Sequence, residues 1–347
     1  MTTQKRFLVT GATGFLGRHL LEHLNNKYPQ VQGIPLVRDR KSWDNQHWTQ
    51  VLKHQDLLTG SLAEIAENPS SPGHIDGIFH LAALVHHSRA HSEEVYTTNI
   101  EGTLNMVRLA AAKKCRLVYV STSGTVGVFN SRHEWADEHS PYRDREVARW
   151  PYYDSKVKAE RAAIKLAEEL GVQLVIIRPP VLLGPGDHRF RSTGNIIRYL
   201  RGALPFLIRG GMHFVDIRDA SAAMVRTMLI DNPQPVYHLS GVACSLDNFF
   251  KMVENASGVR PPRMHLPHPI ALTLANISVC LAGLVGKSSP LPDPVVVEMA
   301  GKYWDIRSRY AAKDLDFFNR NGQETINDTV AWLINHNDKL KALRSVN

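Results

Sequence analysis

The chain is poor in cysteine, and what it has is scattered. Cys115, Cys244 and Cys280 are the only three in 347 residues, too few and too far apart for a disulfide framework or a cysteine-rich metal site, which points to a reducing compartment. Long apolar runs are also missing. The most apolar segment, 270–285, is interrupted by Thr273, Asn276, Ser278 and Gly283 and falls short of the roughly 20 residues that a spanning helix needs. A helix buried over a pocket is the simpler expectation for it, with a peripheral membrane contact as the sharper alternative. No secretory signal precedes the first apolar strand, since Met1–Arg6 runs straight into it, so the expected location is the cytoplasm, membrane-associated if that contact exists. Histidines His86, His87 and His91 lack the spacing of a zinc helix, so no metal is expected and they read as loop or pocket-rim residues. The formal charge is +8 with a sequence pI of about 9.4, yet there is no long basic run, only short groups such as Arg143, Arg145 and Arg149, or Arg189 and Arg191. Nucleic acid is therefore not an expected partner, and anionic small molecules are.

What the chain does contain begins at Phe7. Phe7, Leu8 and Val9 form a short apolar run suited to a buried parallel strand; Gly11, Gly14 and Gly17 follow, and then Leu16, Leu20, Leu21 and Leu24 recur at helical spacing. Strand, glycine turn and helix in that order form a dinucleotide cradle. Gly11 makes the tight turn, Gly14 lets a pyrophosphate approach the backbone, and Gly17 lets the helix lie close to the strand. Free N–H groups at the helix start favour the anion. Val31–Val37 reads as the second strand and ends in Arg38-Asp39-Arg40-Lys41. An arginine there pairs with a 2′-phosphate and an acid with a free 2′-hydroxyl. Arg38 comes first, which favours NADP(H); Asp39 keeps NAD(H) open.

Apolar runs at Gly77–Ala83, which ends in small residues, Leu117–Val120 and Leu174–Ile177 are further buried strands, with a weaker one around Val51–Gln55. Helical patterns fill Ser61–Glu67, Glu94–Lys114 and Pro151–Leu170. Residues 128–150 are polar and read as an exposed excursion. The alternation predicts a doubly wound parallel α/β sheet of Rossmann type over residues 1–180. Residues 181–347 read mainly as a smaller substrate-binding lobe, with segments near 210–240 returning to the core.

Tyr152 and Lys156 lie four apart at the start of a helix and share one face. A tyrosine near pKa 10 is a poor proton carrier at neutral pH, but an ammonium beside it, with the positive ring of an oxidised nicotinamide, favours the phenolate. Ser123, at a strand end, is placed to hold a substrate oxygen.

These features together resemble the extended short-chain dehydrogenase/reductases, the superfamily of NAD(P)-dependent epimerases and dehydratases. The resemblance rests on Gly11–Gly17, Ser123, Tyr152/Lys156, Asn99, Arg178–Asp187 and Phe214–Asp219. It implies that Tyr152 is the general acid/base, that Lys156 binds the nicotinamide ribose, and that Ser123 orients the substrate. It further implies that Gly11, Gly14, Phe15, Leu16 and Gly17 line the pyrophosphate, Asp56 and Leu57 the adenine, Ala82 and Ala83 the middle of the cofactor, and that Asn99 and Pro179 also belong to the cofactor site. Homodimers through the two long helices are implied too. Two departures narrow the subgroup. Pro179, Pro180 and Val181 stand where sugar-nucleotide epimerases carry an asparagine, and Gly124-Thr125-Val126 lacks the acid of the dehydratases. Both point to dihydroflavonol-reductase-like and 3β-hydroxysteroid-dehydrogenase-like members, acting on a ketone or alcohol of an apolar, ring-shaped molecule. A sugar-nucleotide epimerase or dehydratase, and a non-catalytic cofactor-binding protein, are the alternatives.

Overall fold

The computed structural model describes residues 4–44, 56–90, 92–262, 264–284, 286, 289, 291–338 and 340. The weak strand expected at Val51–Gln55, and His91, lie outside the described residues.

Seven parallel strands form the central sheet: β1 (Lys5–Thr10), β2 (Val31–Val37), β3 (Leu58–Thr59), β4 (Gly77–His80), β5 (Arg116–Val120), β7 (Leu174–Arg178) and β10 (Val236–His238). Their spatial order is β10-β7-β5-β4-β1-β2-β3, so the chain reverses direction across the sheet between β1 and β4. A doubly wound sheet opens a ligand crevice at that point, beyond the strands' carboxyl ends. The strands are apolar on both faces because both are covered: Phe7, Leu8, Val9, Ile78, Phe79, Leu117 and Val118 are all buried.

Helices α1 (Phe15–Lys27), α2 (Arg40–Asp44), α3 (Leu62–Glu67), α4 (Ser92–Lys113), α5 (Asp144–Val147) and α6 (Pro151–Leu170) alternate with the first strands. α4 and α6 pack against each other on one face of the sheet, while α1 packs with α8 (Ile217–Leu229) on the other. α6 begins with Pro151 in its first turn and ends at Gly171 in the left-handed conformation (φ 67°), the start and stop that proline and glycine favour.

A second sheet, β11-β9-β8, is built from β8 (Val181–Leu183), β9 (Gly211–Asp216) and β11 (Val242–Ser245), and β6 (Val128–Phe129) pairs antiparallel with β12 (Tyr303–Trp304). The region read as an exposed excursion is thus partly interior: Val128, Phe129, Ala136, Val147 and Trp150 are buried. Helices α7 (Gly194–Leu200), α9 (Leu246–Ser257), α10 (His268–Leu284), α11 (Pro294–Ala300), α12 (Ala311–Asp314) and α13 (Gly322–His336) complete the chain. α7, α9 and α13 surround a separate apolar cluster that includes Phe249, Phe250 and Val330.

α10 corrects the expectation of a buried helix. Only Ala271, Ala275 and Ala282 are buried in it, while Ile270, Leu274, Ile277, Val279, Leu281 and Leu284 are exposed, Leu284 by 79%. Among the described residues no helix is long and apolar enough to cross a membrane.

Candidate active site

The glycine turn is shaped by close approach. Gly11 has φ of 67°, and a Cβ there would lie 2.8 Å from the backbone N of Ala82. A Cβ on Gly17 would lie 2.4 Å from the carbonyl oxygen of Gly11. No side chain can stand at either position unless the backbone shifts. Thr10 seals the junction, its Oγ1 accepting from Leu81 N (3.2 Å) and Ala82 N (3.1 Å). The ends of β1 and β4, with Ala82 and Ala83, thereby sit side by side. Phe15 and Leu16 turn into the core. Gly14 caps α1 without any side-chain hydrogen bond, so the helix start carries N–H groups that no cap satisfies.

That start opens into a small cleft lined by Thr13, Gly14, Phe15, Arg18, Gly186, Asp187, His188 and Arg189. The far wall is the segment Gly184–Ser192, which follows β8. Buried Asp187 shapes it by accepting hydrogen bonds from the backbone N of Ser192 (2.9 Å) and Thr193 (3.0 Å). Arg189 Nη2 donates to Thr13 Oγ1 (3.2 Å), Arg18 Nη1 donates to His188 Nε2 (2.6 Å), and His19 Nε2 donates to the Pro185 carbonyl (2.9 Å). Burial first, then Arg191 and Arg38, lower the Arg189 pKa, which places three guanidinium groups within electrostatic reach of one another. An uncapped helix start, glycines that no side chain can replace and a gathering of arginines fit a phosphorylated dinucleotide. Arg189 was passed over in the sequence as surface charge.

Arg38 follows directly on β2. Asp39, its rival for the ribose, is engaged elsewhere: its Oδ1 accepts from the backbone N of Ser42 at 2.7 Å and its carbonyl accepts from Ser42 Oγ at 2.8 Å. Asp56 is exposed and ion-paired with Arg6 at 3.0 Å, and Leu57 packs against the core.

Lys156 is buried on α6. Its Nζ donates to the Val120 carbonyl (2.9 Å) and to Tyr119 Oη (3.3 Å). Burial lowers its pKa from 10.5 to about 7, with Glu160 pulling the other way. Tyr152 is partly exposed and stands one turn earlier. Burial pushes its phenol up to about 12. The Lys156 ammonium is turned to Val120 and Tyr119, and loss of hydration is what raises the phenol. Ser123 is buried in a short turn after β5, its N–H bonded to the Pro179 carbonyl (2.8 Å). That turn packs against α6. The next residue, Gly124, is held against the Tyr153 ring, where a Cβ would come within 2.2 Å.

Asn99 does not face the glycine loop. Its Oδ1 accepts from Leu84 N (2.8 Å), and its Nδ2 donates to the Leu84 carbonyl (3.1 Å) and to Ser155 Oγ (3.0 Å). Ser155 Oγ in turn donates to the Tyr152 carbonyl at 2.7 Å. Asn99 thus ties the loop after β4 to the turn of α6 that carries Tyr152. In that loop His87 lies edge-on to Tyr152, ring centroids 5.7 Å apart, and stacks with Tyr153 at 6.0 Å. From the second lobe, Glu298 of α11 accepts from Trp150 Nε1 (3.0 Å) and from Arg89 (2.7 Å), fixing α11 beside the same cluster. Buried Arg178 is paired with buried Glu160 at 2.6 Å and serves the core. Among the described residues no three His, Cys, Asp or Glu side chains gather as metal ligands.

Comparison with known proteins agrees with this geometry. The profile of the NAD dependent epimerase/dehydratase family matches residues 7–239. A putative dihydroflavonol 4-reductase of Synechocystis is 28% identical, over 95% of this chain and 95% of its own. The decarboxylating sterol-4-alpha-carboxylate 3-dehydrogenase of Candida albicans is 26% identical over 94% of this chain and 97% of its own. The crystal structure of dTDP-glucose 4,6-dehydratase from Bacillus anthracis in complex with NAD has a TM-score of 0.74 at 16% identity, covering 98% of this chain and 100% of that one; it is similar in fold.

Proposed function

The chain belongs to the NAD dependent epimerase/dehydratase family, and from that membership we propose that it is an NADP(H)-dependent oxidoreductase interconverting a ketone and a secondary alcohol on an apolar, ring-shaped small molecule. The observation that carries the reading is the placement of Lys156, buried and held by the Val120 carbonyl one helical turn from Tyr152, beside the turn that carries Ser123. A bound nicotinamide supplies or accepts the hydride; everything else falls to the chain. Ser123 and the Tyr152 hydroxyl hold the substrate oxygen. Tyr152 gives that oxygen its proton during reduction and takes it back during oxidation. A phenol pushed up to about 12 is protonated at neutral pH, which suits the reductive direction. The Lys156 ammonium supports the phenolate left behind.

Arg38 and Arg189 beside the glycine turn support NADP(H) over NAD(H), since Asp39 is committed to its own turn. Gly124, pressed against Tyr153, leaves no room for the acid of a dehydratase. Tyr153 and Trp304, partly exposed and packed against Gly124, offer aromatic faces next to Ser123 that suit an apolar ring. The names of the Synechocystis and Candida relatives, a reductase and a dehydrogenase of ring-bearing molecules, lie on the same side.

The test is a panel of aryl and alicyclic ketones with NADPH and NADH, followed by nicotinamide absorbance, with UDP-glucose incubations in parallel. Ketone-dependent NADPH oxidation is expected, with Tyr152→Phe slowing turnover by about 10³-fold while NADPH binding stays within about twofold. Conversion of the sugar nucleotide without net cofactor turnover, and no ketone reduction, would replace this reading with epimerase or dehydratase chemistry.

A further inference from the structure

His87 has no part in the proton and hydride steps, yet its ring sits against Tyr152 and Tyr153. Its Nδ1 is buried, and no group among the described residues hydrogen-bonds to it. Such orphans are uncommon, because each gives up its hydration without a replacing partner. The ring is uncharged at neutral pH: burial, then His86 and Arg191, bring its pKa down to about 4 against the pull of Asp293. A neutral imidazole carries one N–H. A buried N–H without an acceptor is rarer than an unused lone pair, which puts the hydrogen on the less buried Nε2 and leaves Nδ1 as an acceptor. The loop that carries the ring is fixed on both sides. Asn99 holds Leu84, and Arg191 Nη1 donates to the Val85 carbonyl at 2.5 Å. The ring is therefore held in place beside Tyr152, and an uncharged acceptor selects a hydroxyl over a carboxylate.

Resting on the oxidoreductase reading, we propose that His87 is the specificity-determining residue, accepting a hydrogen bond at Nδ1 from a hydroxyl that the substrate carries close to its reacting carbonyl. Tyr152 and Ser123 hold the oxygen that changes oxidation state. His87 reads a second oxygen that does not.

The experiment compares 2-hydroxyacetophenone with acetophenone, which differ by one hydroxyl beside the carbonyl. For each ketone kcat/KM is measured with NADPH, and binding to the NADP-loaded protein is titrated by tyrosine and tryptophan fluorescence. The wild-type protein is expected to prefer the hydroxylated ketone by about tenfold, the worth of one hydrogen bond. His87→Phe keeps a ring and loses the nitrogen, and it should bring the ratio to about one, chiefly through KM. His87→Asn, whose amide oxygen stands near the position of Nδ1, should restore most of the preference. NADPH affinity serves as the control for folding. A ratio that survives in His87→Phe, or that is about one in the wild-type protein, overturns the assignment. Turnover of neither ketone defeats the oxidoreductase reading instead, and the binding ratio then decides the role of His87 separately.

Discussion

A lysine that is 2% exposed is an expensive residue to keep, and Lys156 shows where the expense goes. Its amine binds a proton less tightly in the folded protein, about 7 against an ordinary 10.5. Between those values the unfolded chain holds a proton that the native chain lacks, so stability rises with pH across that window; below about 7 both states are protonated and the destabilisation is constant. The same titration bears on function, because the ammonium that supports the phenolate is lost above about 7. Two linked results are expected. The kcat/KM for NADPH, which reports the free protein, falls above about pH 7 in the wild-type protein, and this limb is missing in the slow Lys156→Met variant. In urea titrations Lys156→Met is more stable than wild type by about 2 kcal/mol at pH 6, and the gap narrows by pH 9. A gap that widens with pH would mean that the amine is not desolvated as the structure has it. His87 adds a second rise at lower pH: its ring is lowered to about 4 against an ordinary 6.5, so stability rises with pH between those values and the ring adds almost no slope well above 6.5.

At the scale of elements, the turn after β2 decides the cofactor. The five-residue α2 starts where Asp39 accepts from Ser42, so that carboxylate acts as a cap and is satisfied within its own turn. Arg38 has no such engagement in the described structure. Asp39→Ala should therefore cost about 1 kcal/mol of stability or less and leave the ratio of NADP to NAD affinity within about twofold. Arg38→Ala should weaken NADP about tenfold or more relative to NAD, the usual worth of a charge-assisted hydrogen bond. Calorimetric titration with both cofactors measures both changes; a loss of NAD binding in Asp39→Ala would return the ribose to the acid. The sequence carries Arg38 and Asp39 plainly but not the cap between Asp39 and Ser42, because capping is a matter of backbone angle. Other elements were legible for physical reasons. α6 runs over Pro151–Leu170 as read, with a strong start, a strong stop and one apolar face between them. β3 was not read from the sequence, for a two-residue edge strand with one neighbour leaves almost no pattern. α10 was read inside out. Its apolar content is real, but its contact with the protein is made by alanines, whose small side chains let it lie close, so the larger aliphatic residues are left outward.

At the scale of the molecule, the segment that follows β8 closes over the glycine turn. Residues Gly184–Ser192 reach it from a part of the chain that periodicity cannot connect to it: Thr13 and Arg189 are 176 positions apart. The glycines were readable because their spacing is local; Arg189 and His87 were not, because each acquires its meaning from a contact that only the folded chain makes. Across the cleft Arg189 touches Thr13 through one exposed hydrogen bond, which contributes little to the free protein, and its positive neighbours Arg38 and Arg191 lower its pKa. A dianionic phosphate placed among these three groups would turn their mutual repulsion into attraction, and the lobe would be held to the core by the cofactor. Ligand that binds only the folded state raises its stability by mass action, about 2.7 kcal/mol at a hundredfold excess over Kd. In Arg189→Met the melting temperature without cofactor should stay within about 1 °C of wild type, a shift expected for surface substitutions. The additional stabilisation that NADP gives over NAD at equal concentration should shrink by half or more. Differential scanning fluorimetry with NADP, NAD and 2′,5′-ADP distinguishes the causes: a deficit shared by NADP and 2′,5′-ADP but absent with NAD assigns Arg189 to the 2′-phosphate, whereas an equal deficit with all three would make it a general contact of the diphosphate and leave Arg38 alone to choose the cofactor.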